Sequence, residues 1–533
     1  MLEPTVSSIP EAIERAASKW PLEEFIVQGE ERIGFAAMRV QVARCAAGLA
    51  AIGIGRGDHV GICLPNTADW VALFLAAASL GAVTVPVNTR LKAAEIVYTI
   101  GQSDVSCLFV VDRFLGIDFI AMLREVCPGI DSALPDPALP RLSRVVVLGE
   151  DVPAGCLGFA EFLADGRAEA TPTGAAEDAC LIQYTSGTTS FPKGAMLSQC
   201  SVMWDAHYAG AAAGLLAGDR HLSPRPFFHV AGSVLSVLTS LVQGTTLVTM
   251  TRFDGPSALK LAETERCTHI SGNDTMFLMM LHAPDLRARR LTARGGMAAC
   301  SPPVMRRVIE ELGIDGAVTG YGLSESAPNV GFGRWDDPAE DRIESWARPH
   351  PGLEVRITDF ATGEALADGQ PGQIRVRGWS LMLCYYNKPE ETEAALGDGW
   401  LCTGDVGVRR ADGKFRFLGR VKEIIRVGGE NVAPADIENV LHQHPAIAQA
   451  QAVGVPDARM IEVPAAFVTL RPGAAATADE ILAWCRPRMA NFKVPRYVRV
   501  VDGFEAIGMT ASSKIQKSRL SAHARKLFGL EGS

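Results

Sequence analysis

Short apolar runs alternate with longer amphipathic ones along most of this chain. HVGICL (59–64), AVTVPV (82–87) and SCLFVV (106–111) are short and β-branched, and helical stretches fall between them near 67–80 and 92–102. The same alternation returns over 181–251 and again at HISG (269–272), before a helix rich in Met and Leu. Strands that are apolar throughout, joined by helices, predict an α/β fold with parallel or mixed sheets covered on both faces, built from Rossmann-like units. Two uncharged runs, 71–89 and 226–251, approach the length of a membrane span. Each breaks, at Gly81 and at Gln243-Gly244, and then continues as a β-branched segment. A buried helix followed by a buried strand is therefore expected, and no transmembrane segment.

Between 130 and 177 the chain becomes rich in Pro, Ala, Gly and acid with no sustained period, which predicts exposed connections. From 353 the texture shifts to short strands and turns (EVRITD, GQIRVRG, GKFRFLGR), a β-barrel-like subregion. After Arg420 it reverts to helix and strand, with IENVLHQH as a helix and AQAVGV and AAFVTL as strands. The expected division is a large N-terminal domain, 1–421, and a small C-terminal α+β domain, 422–533. No internal repeat and no heptad pattern is visible.

Composition narrows the function classes. A chain of 533 residues, 48% hydrophobic and 21% charged, can bury several cores, which excludes disorder, collagen and small disulfide scaffolds. Fifty-one basic against sixty acidic residues give a net charge of -9, without the basic excess that phosphate-backbone binding needs, so no nucleic-acid partner is expected. The twelve cysteines are scattered, with no CxxC pair to hold zinc, and fit buried, reduced thiols. MLEPTVSSIPEAIERAASKW carries acids early and lacks an apolar signal core, so a cytoplasmic location is expected. His442 and His444, two apart on a helix, diverge and read as surface residues, as do Lys517 and Arg519. The sequence carries no signal on oligomeric state, and a homodimer is left open.

The segment LIQYTSGTTSFPKG (181–194) places an apolar strand before hydroxyl and glycine residues and then a lysine. Thr185, Ser186, Thr188 and Thr189 offer hydroxyls, Gly187 lets backbone N–H groups approach, and Lys193 adds positive charge, the parts that polyphosphate chemistry uses. The spacing is not GxxxxGK[ST], because Gly194 follows Lys193, so a P-loop kinase or GTPase is disfavoured.

YTSGTTSFPKGAMLS resembles the signature of the adenylate-forming superfamily of acyl-CoA synthetases, luciferases and peptide-synthetase adenylation domains. YGLSE (321–325), DGWLCTGD (398–405), GRVKEIIRVGGENVAPADIE (419–438) and MTASSKIQKSRL (509–520) resemble the later motifs of that family, in the same order. Ser190 and Ser513 stand where the family usually has glycine. The resemblance implies a two-step reaction: a carboxylate attacks the α-phosphate of ATP and releases pyrophosphate, and the thiol of coenzyme A then displaces AMP. Negative charge gathers at the α-phosphorus, so magnesium and fixed cations are expected to carry most of the catalysis.

By the same resemblance Glu325 binds Mg2+, Ser324 contacts phosphate, and Tyr321 and Gly322 flank the adenine, with Gly295-Gly296 as a glycine-rich turn beside it. Asp405 and Arg420 hold the ribose, Lys514 is the catalytic lysine, Lys422 is the hinge between domains, and Gly428-Gly429 border the pantetheine path. His229, in FFHVAG, stands where amino-acid-activating relatives carry an aspartate, and resembles the gate residue of acyl-CoA synthetases. An amino-acid substrate would lose its counter-ion there. Val230, Gly232, Gly296, Met297, Ala298, Ala327 and Val330 are expected to line an acyl pocket for a hydrophobic carboxylic acid, and Asp274 reads as the N-cap of the helix that follows it. The competing functions are an acyl-AMP ligase that loads a carrier protein and a non-catalytic ligand-binding relative. The joint presence of Glu325, Asp405, Arg420 and Lys514 opposes the second of these.

Overall fold

The computed structural model describes residues 3–166, 171–185, 192–428, 430–457, 459–509 and 515–530. The apolar runs become two large sheets. In one, Arg144–Leu148, Cys107–Val111, His59–Cys63, Val83–Pro86 and Ala179–Tyr184 lie side by side in parallel, and Gly194–Ser198 and Cys384–Tyr385 extend the edge antiparallel. In the other, Glu24–Gln28, Thr246–Thr249, Arg220–Leu222, His269–Ile270, Gly295–Ala299 and Gly316–Val318 run parallel. One hydrophobic core takes residues from both sheets, Ile26 and Leu247 from one and Val60, Phe109 and Leu181 from the other. The helix Ala68–Ser79 sits in that core with every residue buried except Asp69 in its first turn. Thr67 caps it by accepting the N–H of Trp70 at 3.2 Å. A helix apolar on all sides is stable only when enclosed, which explains its membrane-like composition. Among the described residues, no helix is long and apolar enough to cross a membrane.

The exposed connections expected over 130–177 are only partly found. Arg144–Leu148 is a strand whose three central valines are buried, paired in register with Cys107–Val111. An apolar run this short shows no periodicity, and its Pro-rich flanks conceal it.

The β-rich region forms a four-stranded antiparallel sheet of Glu354–Thr358, Gly372–Arg377, Leu401–Arg409 and Phe415–Arg420. Beyond it a five-stranded sheet, Ile425–Val427, Glu430–Val432, Ile447–Asp457, Ile461–Leu470 and Tyr497–Val500, builds the small C-terminal domain around Ile437, Leu441 and Ile481. Three residues expected at the surface are drawn inward there. His442 accepts the N–H of Ala450 at 3.0 Å and His444 that of Ala446 at 3.2 Å, so both imidazoles serve as backbone caps. Lys517 pairs with Glu438 with only 14% of its side chain exposed. Edge and turn backbone groups need partners, a demand that side-chain spacing along a helix does not reveal. Arg519 is exposed, as expected.

Candidate active site

Asp405 and Arg420 lie directly opposite one another on the antiparallel strands Leu401–Arg409 and Phe415–Arg420. Arg420 Nε stands 3.2 Å from Asp405 Oδ1, and the hydroxyl of Tyr321 donates to Asp405 Oδ2 at 2.8 Å. Asp405 is 2% exposed, and its buried charge is offset by the Arg420 guanidinium and the Tyr321 hydroxyl beside it. Burial, followed by the charge of Asp405, holds the Tyr321 phenol well above its usual range and keeps it a donor. The ring of Tyr321 lies nearly parallel to that of Phe417, centroids 5.9 Å apart, and edge-on to Phe415. Phe417 is exposed, so an aromatic face is open to solvent beside a fixed carboxylate.

Two glycines make the backbone beside this surface. A Cβ on Gly322 would come within 2.0 Å of the carbonyl oxygen of Pro328, and one on Gly296 within 1.8 Å of that of Ile270. Neither position accepts a side chain without moving a neighbouring strand. Gly295 and Gly296, expected in a turn, instead open the strand Gly295–Ala299.

The hairpin that carries Tyr321 then delivers Glu325. Gly320–Gly322 pairs antiparallel with Asn329–Phe332, and the connection passes through the turn Ser324–Ser326, which leaves Ser324 and Glu325 half-buried. Glu325 Oε1 accepts the hydroxyl of Tyr385 at 2.7 Å. The ammonium of Lys193 sits 4.1 Å from the centroid of the same tyrosine ring. Tyr385 thus joins Lys193 to Glu325 through its face and its hydroxyl. It reaches them because Cys384–Tyr385 adds to Gly194–Ser198, with Ala195 opposite Tyr385. The CYYNKP run offered no spacing signal for this role, which only the strand pairing reveals. Thr185 donates its N–H to Lys193 O at 2.8 Å and closes the base of the hydroxyl-rich loop. Ser186, Gly187, Thr188 and Thr189 lie outside the described residues, as do Gly429 and Lys514.

On the acyl side, His229 caps the short helix Val230–Gly232, its Nδ1 accepting the N–H of Ala231 at 3.1 Å. The preceding carbonyl, Phe228 O, accepts from Gln183 Nε2 at 3.3 Å, which ties this segment to the strand before the phosphate loop. Val230, Ala327 and Val330 share one core with Tyr321, and Gly232 is buried beside them. Met297 packs with Leu235 and Phe332. Ala298 does not join this wall, contrary to expectation. Its methyl belongs to the core of Phe277 and Met305, because successive residues of a strand face opposite sides. The cap of the helix Asp274–Leu281 is Asn273, which accepts Met276 N–H at 3.0 Å, rather than Asp274. Asp274 accepts both N–H and Oγ–H of Ser301, and burial raises its carboxyl to about 6.

Lys422 occupies the turn Val421–Glu423, immediately after Arg420 and before the first strand of the small domain. Gly428 stands at the bend between Ile425–Val427 and Glu430–Val432, its N–H donated to Met460 O at 2.7 Å. A cavity of about 300 Å³ opens between the two domains, lined by Pro302, Arg307 and Ile343 on one side and His442, Ile447 and Arg471 on the other. It does not touch the Asp405, Glu325 or Met297 groups.

Residues 13–386 match the family model of AMP-binding enzymes, and residues 436–514 match that of the AMP-binding enzyme C-terminal domain. The chain is 35% identical over 551 residues to the acyl-CoA synthetase YngI of Bacillus subtilis, covering all of both. It is 34% identical to the mitochondrial medium-chain acyl-CoA ligase ACSF2 of Danio rerio, over 98% of this chain and 89% of that one. The fold superposes on the anthranilate CoA ligase AuaEII in complex with anthranoyl-AMP with a TM-score of 0.88, at 24% identity over 99% of each chain.

Proposed function

The chain belongs to the AMP-binding enzyme family and is an AMP-forming acyl-CoA ligase of the adenylate-forming superfamily, and we propose that it activates hydrophobic, medium-chain carboxylic acids. Such a ligase consumes ATP and coenzyme A, and a small carboxylic acid is its substrate; loading of a carrier protein is not favoured. The observation that carries the choice of acid is the buried aliphatic group of Val230, Ala327 and Val330, with Met297 in a separate cluster and His229 where an amino acid would need a carboxylate. The medium-chain specificity of the ACSF2 relatives supports the same choice. The assay is acid-dependent AMP release with coenzyme A over straight-chain, aromatic and polycyclic acids. The highest kcat/KM is expected for medium-length straight chains, and a preference for aromatic or polycyclic acids would refute the proposal.

In this reading the phosphate loop (Thr185, Ser186, Gly187, Thr188, Thr189, Lys193) receives the β- and γ-phosphates. Tyr321, Gly322 and Gly296 border the adenine, and Ser324 contacts a phosphate. Asp405 and Arg420 bind the ribose; a carboxylate has room for further donors beyond Tyr321 and Arg420. Gly428 and Gly429 flank the pantetheine, and the domain boundary falls at 421/422. A divalent ion fits Glu325: its carboxylate is a hard oxygen ligand, half-buried, and one of its oxygens is already oriented by Tyr385. Among the described residues no cluster of three acidic, Cys or His side chains could cage a metal alone, which suits an ion that arrives with the nucleotide. When bound, Mg2+ supplies charge neutralisation on the phosphates. Lys514 stabilises the charge that develops as the acid attacks the α-phosphorus. A cytoplasmic location belongs to the same proposal.

Tyr385 provides a direct test of the phosphate side. Tyr385→Phe keeps the ring beneath Lys193 and deletes the hydroxyl bonded to Glu325. A hydrogen bond to a charged group contributes about 1.5–3 kcal/mol, so the KM for Mg·ATP should rise by roughly 10- to 100-fold with the KM for the acid unchanged. An unchanged KM for Mg·ATP would separate Glu325 from nucleotide binding.

A further inference from the structure

Asn66 follows the strand His59–Cys63 of one large sheet and precedes Thr67, the cap of the helix Ala68–Ser79. It is 6% exposed, and its side chain crosses to the other large sheet. There Oδ1 accepts the N–H of Phe227 at 2.8 Å, and Nδ2 donates to the carbonyl of Arg225 at 2.9 Å and to Thr249 Oγ1 at 3.3 Å. Thr249 ends the strand Thr246–Thr249 and donates in turn to Ser223 O at 3.0 Å. Only an amide suits this pair of backbone groups. A carboxylate would face the Arg225 carbonyl with no proton to give, and an apolar side chain would leave both groups buried without a partner.

The segment that Asn66 holds leads directly into the acyl side of the site. Pro226, between the two clamped residues, accepts the N–H of His229 at 3.1 Å, and His229 O accepts the N–H of Gly232 at 2.7 Å. This turn has no slack, since a Cβ on Gly232 would fall 2.0 Å from Pro226 O. The ring of Phe227 rests on that of Trp70, one turn along the helix that follows Asn66, with centroids 5.5 Å apart. Arg225 reaches with Nη2 to the carbonyl of Met297. A shift of residues 225–227 therefore carries His229 and Val230 with it. We infer that Asn66 is a positioning residue for the acyl side of the site: it sets where His229 and Val230 stand. This rests on the acyl-side role proposed above for those two residues.

A double-mutant cycle on acid-dependent pyrophosphate release separates positioning from simple stabilisation. Asn66→Ala should lower kcat/KM for a medium-chain acid about tenfold, within the range that a misplacement of about 1 Å can cost. The KM for Mg·ATP should stay near wild type. His229→Ala is the reference and should itself lower kcat/KM for the acid. Because Asn66 acts through the His229 segment, the double variant should lose clearly less than the product of the two single losses. A merely structural role for Asn66 would give the full product and would raise the KM for Mg·ATP as well. Thr249→Val removes the hydroxyl that accepts from Asn66 and keeps the shape of the side chain, so it should act in the same direction with a smaller loss. Where Asn66→Ala does not fold, the same cycle with Thr249→Val decides, a silent or additive result overturning the inference. Unchanged acid kinetics in a folded Asn66→Ala, or additive losses in its double variant, overturn it equally. Should His229→Ala leave the acid kinetics unchanged, the acyl-side role of His229 fails; should it lower them while Asn66→Ala is silent, only the positioning role fails.

Discussion

Lys514→Ala is expected to lower acid-dependent pyrophosphate release by about 10²- to 10³-fold, the usual cost of deleting one preorganised electrostatic contact. The nucleotide should still bind. Its ribose is assigned to Asp405 and Arg420, fixed across two strands, and its phosphates to the loop between Thr185 and Lys193, and none of these groups depends on the small domain's lysine. The loss therefore belongs in kcat, because the ammonium acts on charge that forms as the acid attacks and is absent from bound ATP. Pyrophosphate exchange together with calorimetric titration of ATP measures both quantities. Exchange comparable to wild type would remove Lys514 from the chemistry, and a parallel loss of ATP affinity would turn it into a binding residue.

The fold was legible wherever burial wrote itself as periodicity. The helix Ala68–Ser79 and the strands His59–Cys63, Val83–Pro86 and Cys107–Val111 fall on the runs that predict them. Arg144–Leu148 escaped notice because a short central strand is a few apolar residues whose meaning depends on Cys107–Val111 beside it. The site shows the same division. Asp405, Arg420, Tyr321 and Glu325 stand in recognisable motifs, and the structure brings the first three together, Asp405 hydrogen-bonded to Tyr321 and ion-paired with Arg420. Tyr385 carries no motif of its own and acquires its position from antiparallel pairing with Ala195, a long-range relation. Ala298 illustrates the reverse error: adjacency to Met297 in sequence suggested one wall, while strand geometry sends the two side chains to different cores. His442 and Lys517 looked like surface residues because the backbone groups they cap, at Ala450 and Ala452, lie on a strand brought near only by folding, whereas His444 caps the local N–H of Ala446.

The second large effect concerns the connection between domains, where a single substitution should split the reaction. Arg420 is held by Asp405, and Ile425 already belongs to the small domain's sheet, so only the turn Val421–Glu423 and Ile424 are left to absorb a rotation. Hinges of this kind concentrate a domain movement in a few backbone dihedrals. A 3₁₀ turn has φ of about −50 to −70°, which proline shares, so Lys422→Pro should keep φ at position 422 while removing its other values. Val421 becomes restricted as well, since a residue before proline is pushed toward extended conformations. Where the small domain pivots at Lys422 to present one face for adenylation and another for thioester formation, acid-dependent pyrophosphate release should persist in this variant, and thioester formation from supplied acyl-AMP and coenzyme A should fall by at least about tenfold, the rate expression of roughly 1.4 kcal/mol. Gly429→Leu offers an independent approach to the same step, because a bulky side chain beside the pantetheine path should obstruct the thiol without touching the hinge. Thioester formation at the wild-type rate in both variants would leave no support for a hinge at Lys422 or for a thiol path at Gly428-Gly429. Loss of both half-reactions in Lys422→Pro, with Gly429→Leu selective for the second, would keep the thiol path and reject the hinge.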